Sequence, residues 1–231
     1  MSGYYVFCNH ASQNQGISQN DSKKSPRNQC SHFTPSESIV QSAYICHEDQ
    51  KLPVLIDLFT RSNPQRVIIF SSKKTKVKTL ALYLKRAGFN VKEMHSDLDQ
   101  PTREQVMRDF KNRHIDILVA TDVVARGIDI TDIGLIVNFD IPNDCEDYVH
   151  RIGRTARGTE GEGLAITFVG VKEQPKFKEI EEFLGKEIYK IPIDPSLGKT
   201  PSYEPEKQRV KSSDKKVNKK GKIRTYRKRN K

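Results

Sequence analysis

Two recurring patterns of apolar and polar residues alternate along the middle of the chain. From residue 39 onward, short runs of consecutive apolar residues are followed by longer stretches in which apolar residues recur every three or four positions. The runs predict strands that are buried on both faces, and the recurrence predicts amphipathic helices. The predicted strands span residues 67–70, 91–94, 115–120, 135–139 and 163–168, and the predicted helices span 49–62, 74–87, 100–112, 145–152 and 172–184.

The alternation of strands and helices at short spacing predicts an α/β domain with a mainly parallel sheet. This domain is expected over residues 39–192. Residues 1–38 are polar and rich in Ser, Asn and Gln. They cannot bury enough apolar area to offset the entropy of ordering, so they are predicted to be a mostly disordered extension. Residues 193–231 are predicted to form a basic, flexible tail.

The positive charge of the chain is confined to its last 33 residues. The whole chain has 40 basic and 29 acidic residues and a formal net charge of +11. Residues 1–198 contain 26 of each kind, whereas residues 199–231 contain 14 basic and 3 acidic residues. This distribution excludes a uniformly basic nucleic-acid coat protein and indicates a neutral domain with a cationic arm.

The sequence also predicts a cytoplasmic protein without a membrane span. It has no uninterrupted apolar run of about 18 residues, the length that a transmembrane helix requires. Its first ten residues, MSGYYVFCNH, lack the basic start and long apolar stretch of a secretory signal. Four cysteines in 231 residues are too few for a disulfide scaffold, which indicates a reducing compartment.

Two Cys-x-His pairs near the start of the chain are candidate zinc ligands. Cys8 and His10 form one pair, and Cys30 and His32 form the other. Together they offer the four side chains that a tetrahedral Zn²⁺ site needs. Their spacing matches no common zinc finger, and the segment around them is predicted to be disordered. We therefore predict that the protein has no metal site of its own.

Polar and charged side chains follow the predicted strands. Ser71 follows the strand at 67–70, Thr121 follows the strand at 115–120, and an arginine-rich sequence begins at His150 where a predicted helix ends. Right-handed crossovers place the loops after parallel strands at one edge of the sheet, where ligands bind in such folds. Hydroxyls, backbone N–H groups and arginines bind phosphate oxygens, and aspartate accepts hydrogen bonds from ribose. The sequence therefore predicts a phosphate and ribose site at this edge.

Two longer motifs give this edge a family resemblance. The sequences ATDVVARGIDI at 120–130 and HRIGRTARG at 150–158 resemble signature motifs of superfamily 2 helicases, specifically those of the C-terminal RecA-like domain of DEAD-box RNA helicases. The sequences VIIFSS, HSDLDQPTR and VNFDIP follow the order and spacing of that family, so the resemblance covers about residues 40–192. Ser96 departs from the glycine that is usual at its position. The resemblance implies a three-layer RecA-like domain.

The resemblance assigns several residues to ATP. Arg154 and Arg157 would be catalytic, reaching the γ-phosphate across a cleft between two domains, where positive charge stabilises phosphoryl transfer. Gly127 would allow close approach of the backbone to the nucleotide, and Asp129 would bind the ribose. From the residues alone, the arginines could instead form a solvated basic helix end, Gly127 a plain turn and Asp129 a helix N-cap.

The same resemblance assigns three residues to the RNA backbone, namely Ser71, Arg103 and Thr121. It assigns His150 to coupling between the ATP and RNA sites, and Arg126 to coupling through acidic residues of another domain. Contacts of hydroxyl, guanidinium and N–H groups with phosphates read no base sequence. From the residues alone, Ser71 and Thr121 could instead cap helices, and His150 could be an oriented core histidine.

The resemblance implies the C-terminal motor domain of an ATP-dependent RNA helicase. In that family the first RecA-like domain holds the phosphate loop and the Asp-Glu-x-Asp motif that binds Mg²⁺. The 231 residues contain no Asp-Glu-x-Asp sequence, and Ile193 stands where a phosphate loop ending in Gly198-Lys199-Thr200 would need its first glycine. ATP with Mg²⁺ is therefore the expected cofactor only together with a first domain, and the chain alone is expected to be inactive.

The expected partners are RNA bound through its backbone, ATP, and a first RecA-like domain supplied in cis or in trans. The ribosome and the RNA-degradation machinery are further candidate partners, and no membrane partner is expected. Two alternatives are open at this point. One is a non-catalytic RNA-binding or annealing module, and the other is a gene fragment whose first motor domain is encoded elsewhere or lost.

Overall fold

The structure, a computed structural model, describes residues 39–122, 133–155 and 163–208. The predictions for the extension at 1–38 and for the part of the tail beyond residue 208 lie outside these ranges. The described strands are β1 (Ile39–Cys46), β2 (Val67–Phe70), β3 (Val91–Met94), β4 (Ile117–Ala120), β5 (Leu135–Asn138), β6 (Gly163–Gly170) and β7 (Tyr189–Lys190). The described helices are α1 (Lys51–Ser62), α2 (Lys74–Arg86), α3 (Gln100–Lys111), α4 (Cys145–Ile152) and α5 (Gln174–Leu184).

The strands form one sheet in the order β3-β4-β2-β5-β6-β1-β7. Each of its pairings is parallel. β2, β4 and β5 are buried along their whole length, as their uninterrupted apolar sequences predict. The prediction of an α/β domain with a mainly parallel sheet is therefore confirmed. β3, β4 and β2 are neighbours, so the loops that follow them lie side by side at the carboxyl edge.

Helices cover both faces of the sheet and give the domain three layers. Along β2, Val67 and Ile69 face α1 and α2, whereas Ile68 and Phe70 face α3. β1 and β6 divide their side chains in the same way between the α1–α2 layer and a cluster with α4 and α5. Alternate residues of a strand point to opposite faces, so each apolar strand contributes to two cores. This arrangement confirms the predicted three-layer domain.

Two of the seven described strands were not predicted. β1 contains Gln41 and Ser42, which interrupt its apolar pattern, but Gln41 is buried because its Oε1 accepts a hydrogen bond from the Tyr148 hydroxyl at 3.1 Å. β7 has only two residues and exists through its pairing with β1 at Ser42 and Ala43. The helix predicted from residue 172 begins later, at Gln174, after a 3₁₀ turn at Val171–Glu173. Pro175 lies in its first turn, where the missing N–H has no intrahelical partner to lose.

A strap formed by residues 191–204 continues from β7 and packs onto the domain. Near its start, Ile191 N donates to Ala43 O at 2.8 Å. Gln50 Nε2 donates to Leu197 O at 3.0 Å. At its end, Glu204 N donates to Gln174 Oε1 at 2.8 Å. The domain boundary predicted at residue 192 therefore falls within the packed region, because buried side-chain amides bind the strap backbone.

Candidate functional site

Asp140, two residues after the end of β5, organises the loop that follows β2. Its Oδ2 accepts hydrogen bonds from Ser71 Oγ at 2.7 Å, Ser72 N at 2.9 Å and Ser72 Oγ at 3.1 Å. Ser71 is fully buried, and its hydroxyl neither caps a helix nor faces solvent. The structure therefore places Ser71 as a support of the loop, with its hydroxyl already bound to Asp140. RNA contact by Ser71 stays a prediction.

A partly buried ionic cluster surrounds Asp140. Lys76 Nζ lies 2.6 Å from Asp140 Oδ1 and 2.6 Å from Glu48 Oε1. The fully buried Lys51 ammonium lies 2.7 Å from Glu173 Oε2, 3.0 Å from Glu48 Oε2 and 3.8 Å from Asp140 Oδ1. Burial alone would lower the pKa of Lys51, but its carboxylate partners raise that pKa above its ordinary value. The cluster ties the carboxyl ends of β1, β5 and β6 to the start of α2.

We expect Asp140→Asn to reduce the loss of stability that the domain shows in acid. Burial tends to raise the pKa of Asp140, but hydrogen bonds from Lys76, Ser72 and Ser71 outweigh it and lower the pKa to about 2. A carboxyl whose folded pKa lies below its unfolded pKa stabilises the fold above the unfolded value, near 4, and this contribution of about 2 kcal/mol disappears as the pH falls from 4 to 2.

Urea unfolding between pH 5 and 2 measures this effect, and Glu206→Gln, at an exposed position beyond the strap, is the control. The unfolding free energy of Asp140→Asn should be lower than that of the wild type at pH 5 and should converge with it as the pH falls. Parallel pH profiles for the two proteins would contradict the assigned role of Asp140.

Arg151, on the last turn of α4, connects three neighbouring strands at the carboxyl edge. Its Nε and Nη2 donate to the two carboxylate oxygens of Asp122 at 2.6 and 2.7 Å. Its Nη1 donates to Asn138 Oδ1 at 3.0 Å and to Asp140 O at 2.8 Å, and the guanidinium carbon lies 5.1 Å from the centre of the Phe70 ring. Arg151 is only 4% exposed. One guanidinium thus fixes α4 to the ends of β2, β4 and β5.

Sequence reasoning missed the roles of Arg151 and Asp122, although both lie within the two signature motifs. Asp122 comes two residues after β4, and Arg151 is the only basic residue of α4 on its buried face. A buried arginine requires an acidic or hydrogen-bonding partner, which is the signal that points to such a pair. The partner itself is 29 positions away in the sequence and becomes adjacent only through the sheet order.

The predicted RNA residues Thr121 and Arg103 lie at the same edge as Ser71. Thr121 directly follows β4, is half-buried, and donates from its N–H to Met94 O at 3.2 Å. Arg103 lies in the first turn of α3 and is half-buried. Asp99 caps this helix by accepting from Thr102 N at 3.0 Å. Because β3, β4 and β2 are neighbours, the structure brings these three predicted residues to adjacent loops.

Two buried nitrogen atoms near these loops have no hydrogen-bond partner among the described residues. They are Nε2 of His95 and Nε of Arg103. His95 directly follows β3, is 1% exposed, and accepts a hydrogen bond at Nδ1 from Asp97 N at 3.2 Å. Buried donors are rarely left unpaired, so these atoms indicate an edge that is completed by a ligand or by solvent. His95 was not among the predicted site residues.

His150 and Arg154 lie at the end of α4 and line an open groove. The groove is also lined by residues 144–147 at the start of α4 and by Phe183 of α5. His150 is exposed, so the alternative of a core histidine is excluded. Arg154 is half-buried and its N–H donates to Arg151 O at 3.2 Å. The structure therefore places Arg154 next to the residue that fixes α4 to the edge.

Four predicted site residues lie outside the described residues, namely Arg126, Gly127, Asp129 and Arg157. The candidate zinc ligands Cys8, His10, Cys30 and His32 also lie outside them. Within residues 39–122, 133–155 and 163–208, no group of three or more His, Cys, Asp and Glu side chains could hold a metal ion. In the same ranges, no helix is both long and apolar enough to cross a membrane.

Comparisons with known proteins identify the family. The model of the helicase conserved C-terminal domain matches residues 50–159. The ATP-dependent RNA helicase FAL1 of Kluyveromyces lactis is 41% identical over 149 residues, which are 64% of this chain and 36% of FAL1. The solved C-terminal domain of the DEAD-box protein Dbp5 is 33% identical, with a TM-score of 0.63, over 68% of this chain and 91% of that domain. The chain belongs to the DEAD-box RNA helicases.

The match concerns the C-terminal domain of these DEAD-box proteins. Dbp5 of S. cerevisiae, solved bound to RNA and ADP BeF3, matches with 30% identity and a TM-score of 0.64 over 79% of this chain and 46% of that protein. Against curated relatives the chain spans 36%, 32% and 37% of their length. The DEAD-box domain recognised from the two signature motifs is thus confirmed, and its RecA-like fold agrees with the structure.

Proposed function

We propose that this DEAD-box domain acts as the C-terminal motor domain of an ATP-dependent RNA helicase. The observation that carries the proposal is the shared carboxyl edge. Three loops with predicted RNA residues lie side by side there, and the helix end with His150 and Arg154 is fixed to the same edge by Arg151. The names of the relatives, which are ATP-dependent RNA helicases, support the same reaction.

RNA would bind across the loops that follow β2, β3 and β4. Arg103 and Thr121 offer a guanidinium and a hydroxyl to phosphate oxygens, and the loop held by Asp140 offers Ser72 next to the buried Ser71. These groups contact the RNA backbone and read no base, so binding would be independent of sequence. The Dbp5 structure with RNA and ADP BeF3 shows that a protein with this fold accommodates both kinds of ligand.

ATP would bind on the side of Arg154. In this proposal Arg154 and Arg157 stabilise the charge on the transferring γ-phosphoryl group, Asp129 binds the ribose, and Gly127 lets the backbone approach the nucleotide. The fit rests on Arg154, which is half-buried and whose N–H donates to the carbonyl oxygen of Arg151 at the carboxyl edge. Mg²⁺, which neutralises phosphate charge when bound, would be held by the first RecA-like domain, where the family resemblance implies the Asp-Glu-x-Asp motif.

Arg151 and Asp122 would position the RNA and ATP sides relative to each other. Asp122 is adjacent to Thr121 on the RNA side. Arg151 follows His150 on the last turn of α4, binds Asp122, and lies three residues before Arg154. A shift of the β4 loop on RNA binding would therefore move the end of α4. His150 and Arg126, the residues first assigned to coupling, would act at the interface with the first RecA-like domain, supplied in cis or in trans.

The basic tail would add affinity for RNA. We expect the logarithm of the binding constant for an unstructured RNA to fall linearly with the logarithm of the salt concentration. The slope should be about −5 for the full chain and about −2 for a chain truncated after Gln208, because each neutralised phosphate of a single strand contributes about −0.7. Truncation at this point removes 12 of the 40 basic residues and keeps the strap. A salt titration of both chains measures the slopes.

The control for the titration is the Arg86→Ala variant, which loses one exposed cation at the end of α2. Its slope should match that of the wild type. Equal slopes for the full and the truncated chain would show that the tail does not bind RNA, and would leave Arg103 and Thr121 as the binding residues. The ribosome and RNA-degradation machinery, as tail partners, would then lose their support.

A further inference from the structure

The loop between β3 and α3 contains a buried histidine to which the proposed function gives no role. His95 directly follows β3 and is 1% exposed. Its Nδ1 accepts a hydrogen bond from Asp97 N at 3.2 Å, and its carbonyl oxygen accepts one from Leu98 N at 3.2 Å. Residues 95–98 therefore form a β-turn whose first residue binds the backbone with both its side chain and its carbonyl group.

His95 occupies a position in this turn that suits asparagine or aspartate. At the first position of a β-turn, these residues accept a hydrogen bond from the N–H two residues later through an oxygen attached to Cγ. The Nδ1 atom of histidine is also attached to Cγ, so it makes the same contact here. Ser96, the second residue of the turn, lies outside the left-handed region of φ, so its departure from the family's usual glycine causes no backbone strain.

The second imidazole nitrogen of His95 has no comparable contact. Because Nδ1 accepts a hydrogen bond, the proton of the neutral ring lies on Nε2. Nε2 is buried and forms no hydrogen bond with the described residues, and Glu93 Oε1 lies 3.6 Å away, beyond hydrogen-bond distance. An unpaired buried N–H destabilises a fold, so packing alone would favour an apolar side chain at this position. The contact that is specific to histidine here is the one between Nδ1 and Asp97 N.

Exposed ion pairs connect the same turn to α2. The Asp97 carboxylate accepts hydrogen bonds from Lys74 Nζ at 2.7 Å and from Lys78 Nζ at 3.1 Å. The three side chains are between 37% and 53% exposed. Ion pairs with this exposure contribute little and weaken further with salt. The buried contact of His95 is therefore better suited to fix the conformation of the turn.

The turn leads directly to Arg103. Asp99 follows the turn and caps α3 by accepting from Thr102 N, and Arg103 N donates to Asp99 O at 3.1 Å in the first turn of the helix. A change in the turn would therefore shift the guanidinium that the proposed function assigns to RNA. We propose that His95 is a positioning residue for RNA binding, whose Nδ1 holds the turn in the conformation that presents Arg103 to the phosphate backbone. This inference rests on the proposed RNA site.

Two amide variants test which nitrogen of His95 acts. His95→Asn keeps an acceptor attached to Cγ, whereas His95→Gln moves the amide one bond further, near the position of Nε2. In the full chain, the NMR signal of the Arg103 amide gives the dissociation constant for an unstructured RNA, and hydrogen exchange of the Asp97 amide reports on the turn. We expect wild-type values for His95→Asn. For His95→Gln we expect faster exchange at Asp97 and about fivefold weaker RNA binding at Arg103, the equivalent of one neutral hydrogen bond.

His114→Asn, at an exposed position beyond the end of α3, is the matched control and should leave both measurements unchanged. Wild-type RNA affinity in His95→Gln together with weaker affinity in His95→Asn would overturn the proposal, because Nε2 would then be the atom that acts. Equal dissociation constants for the two variants, whether at or below wild-type affinity, would also overturn it. If RNA leaves the Arg103 signal of the wild type unchanged, the proposed RNA site itself is refuted, and the inference about His95 falls with it.

Discussion

Replacing Arg154 or Arg157 by alanine will lower kcat for ATP hydrolysis by about 10³-fold when this chain is mixed with the first RecA-like domain of a DEAD-box relative. The reason is that an arginine that stabilises the transferring phosphoryl group contributes at least that much to kcat. The affinity for RNA should change little, because the proposed RNA residues follow β2, β3 and β4 rather than α4. Steady-state ATPase assays with saturating RNA measure kcat, and an equilibrium titration measures RNA binding.

The control for this experiment is Arg86→Ala, which removes an exposed arginine from the end of α2. It should leave kcat unchanged. The 231-residue chain alone should show no RNA-stimulated hydrolysis, since its sequence has neither a phosphate loop nor an Asp-Glu-x-Asp motif. RNA-stimulated turnover by the unmixed chain, or an equal loss in Arg86→Ala, would contradict the assignment of the arginines.

Arg151→Met will lower the unfolding free energy of the domain by about 3 kcal/mol, because it leaves the Asp122 carboxylate and the Asn138 amide without their partner in a largely buried site. Arg151 is 4% exposed and makes two hydrogen bonds to Asp122. For a domain of this size such a loss corresponds to a fall of about 6–12 °C in Tm. Urea and thermal unfolding measure the two quantities.

Arg61→Met is the matched control, since Arg61 also contacts two aspartates, Asp57 and Asp194, but at the exposed surface. Exposed ion pairs contribute little to stability, so the unfolding midpoints of Arg61→Met in urea and on heating should not differ measurably from those of the wild type. Arg151→Lys should recover only part of the lost stability, because an ammonium cannot form the two parallel bonds to Asp122. If Arg151→Met unfolds at the same urea concentration and temperature as the wild type, the hydrogen bonds of Arg151 are not needed for the stability of the fold.

Much of the fold followed from local sequence. The apolar runs at 67–70, 117–120 and 135–138 are uninterrupted because these strands are covered on both faces, and this property is visible without the structure. Pro101 and Pro175 marked the first turns of α3 and α5. β1, β7 and the strap gave no comparable signal, because their stability comes from pairing and from side-chain amides elsewhere in the chain.

The sequence by itself determined the family, the residue types at the ligand edge and the position of the positive charge. Its two signature motifs identified the DEAD-box domain, and the charge of residues 209–231 is a matter of composition. Only the tertiary structure decided which residues support the edge. The bond of Ser71 to Asp140 spans 69 positions, and that of Arg151 to Asp122 spans 29. Such pairs depend on the order of strands in the sheet, which local periodicity does not contain.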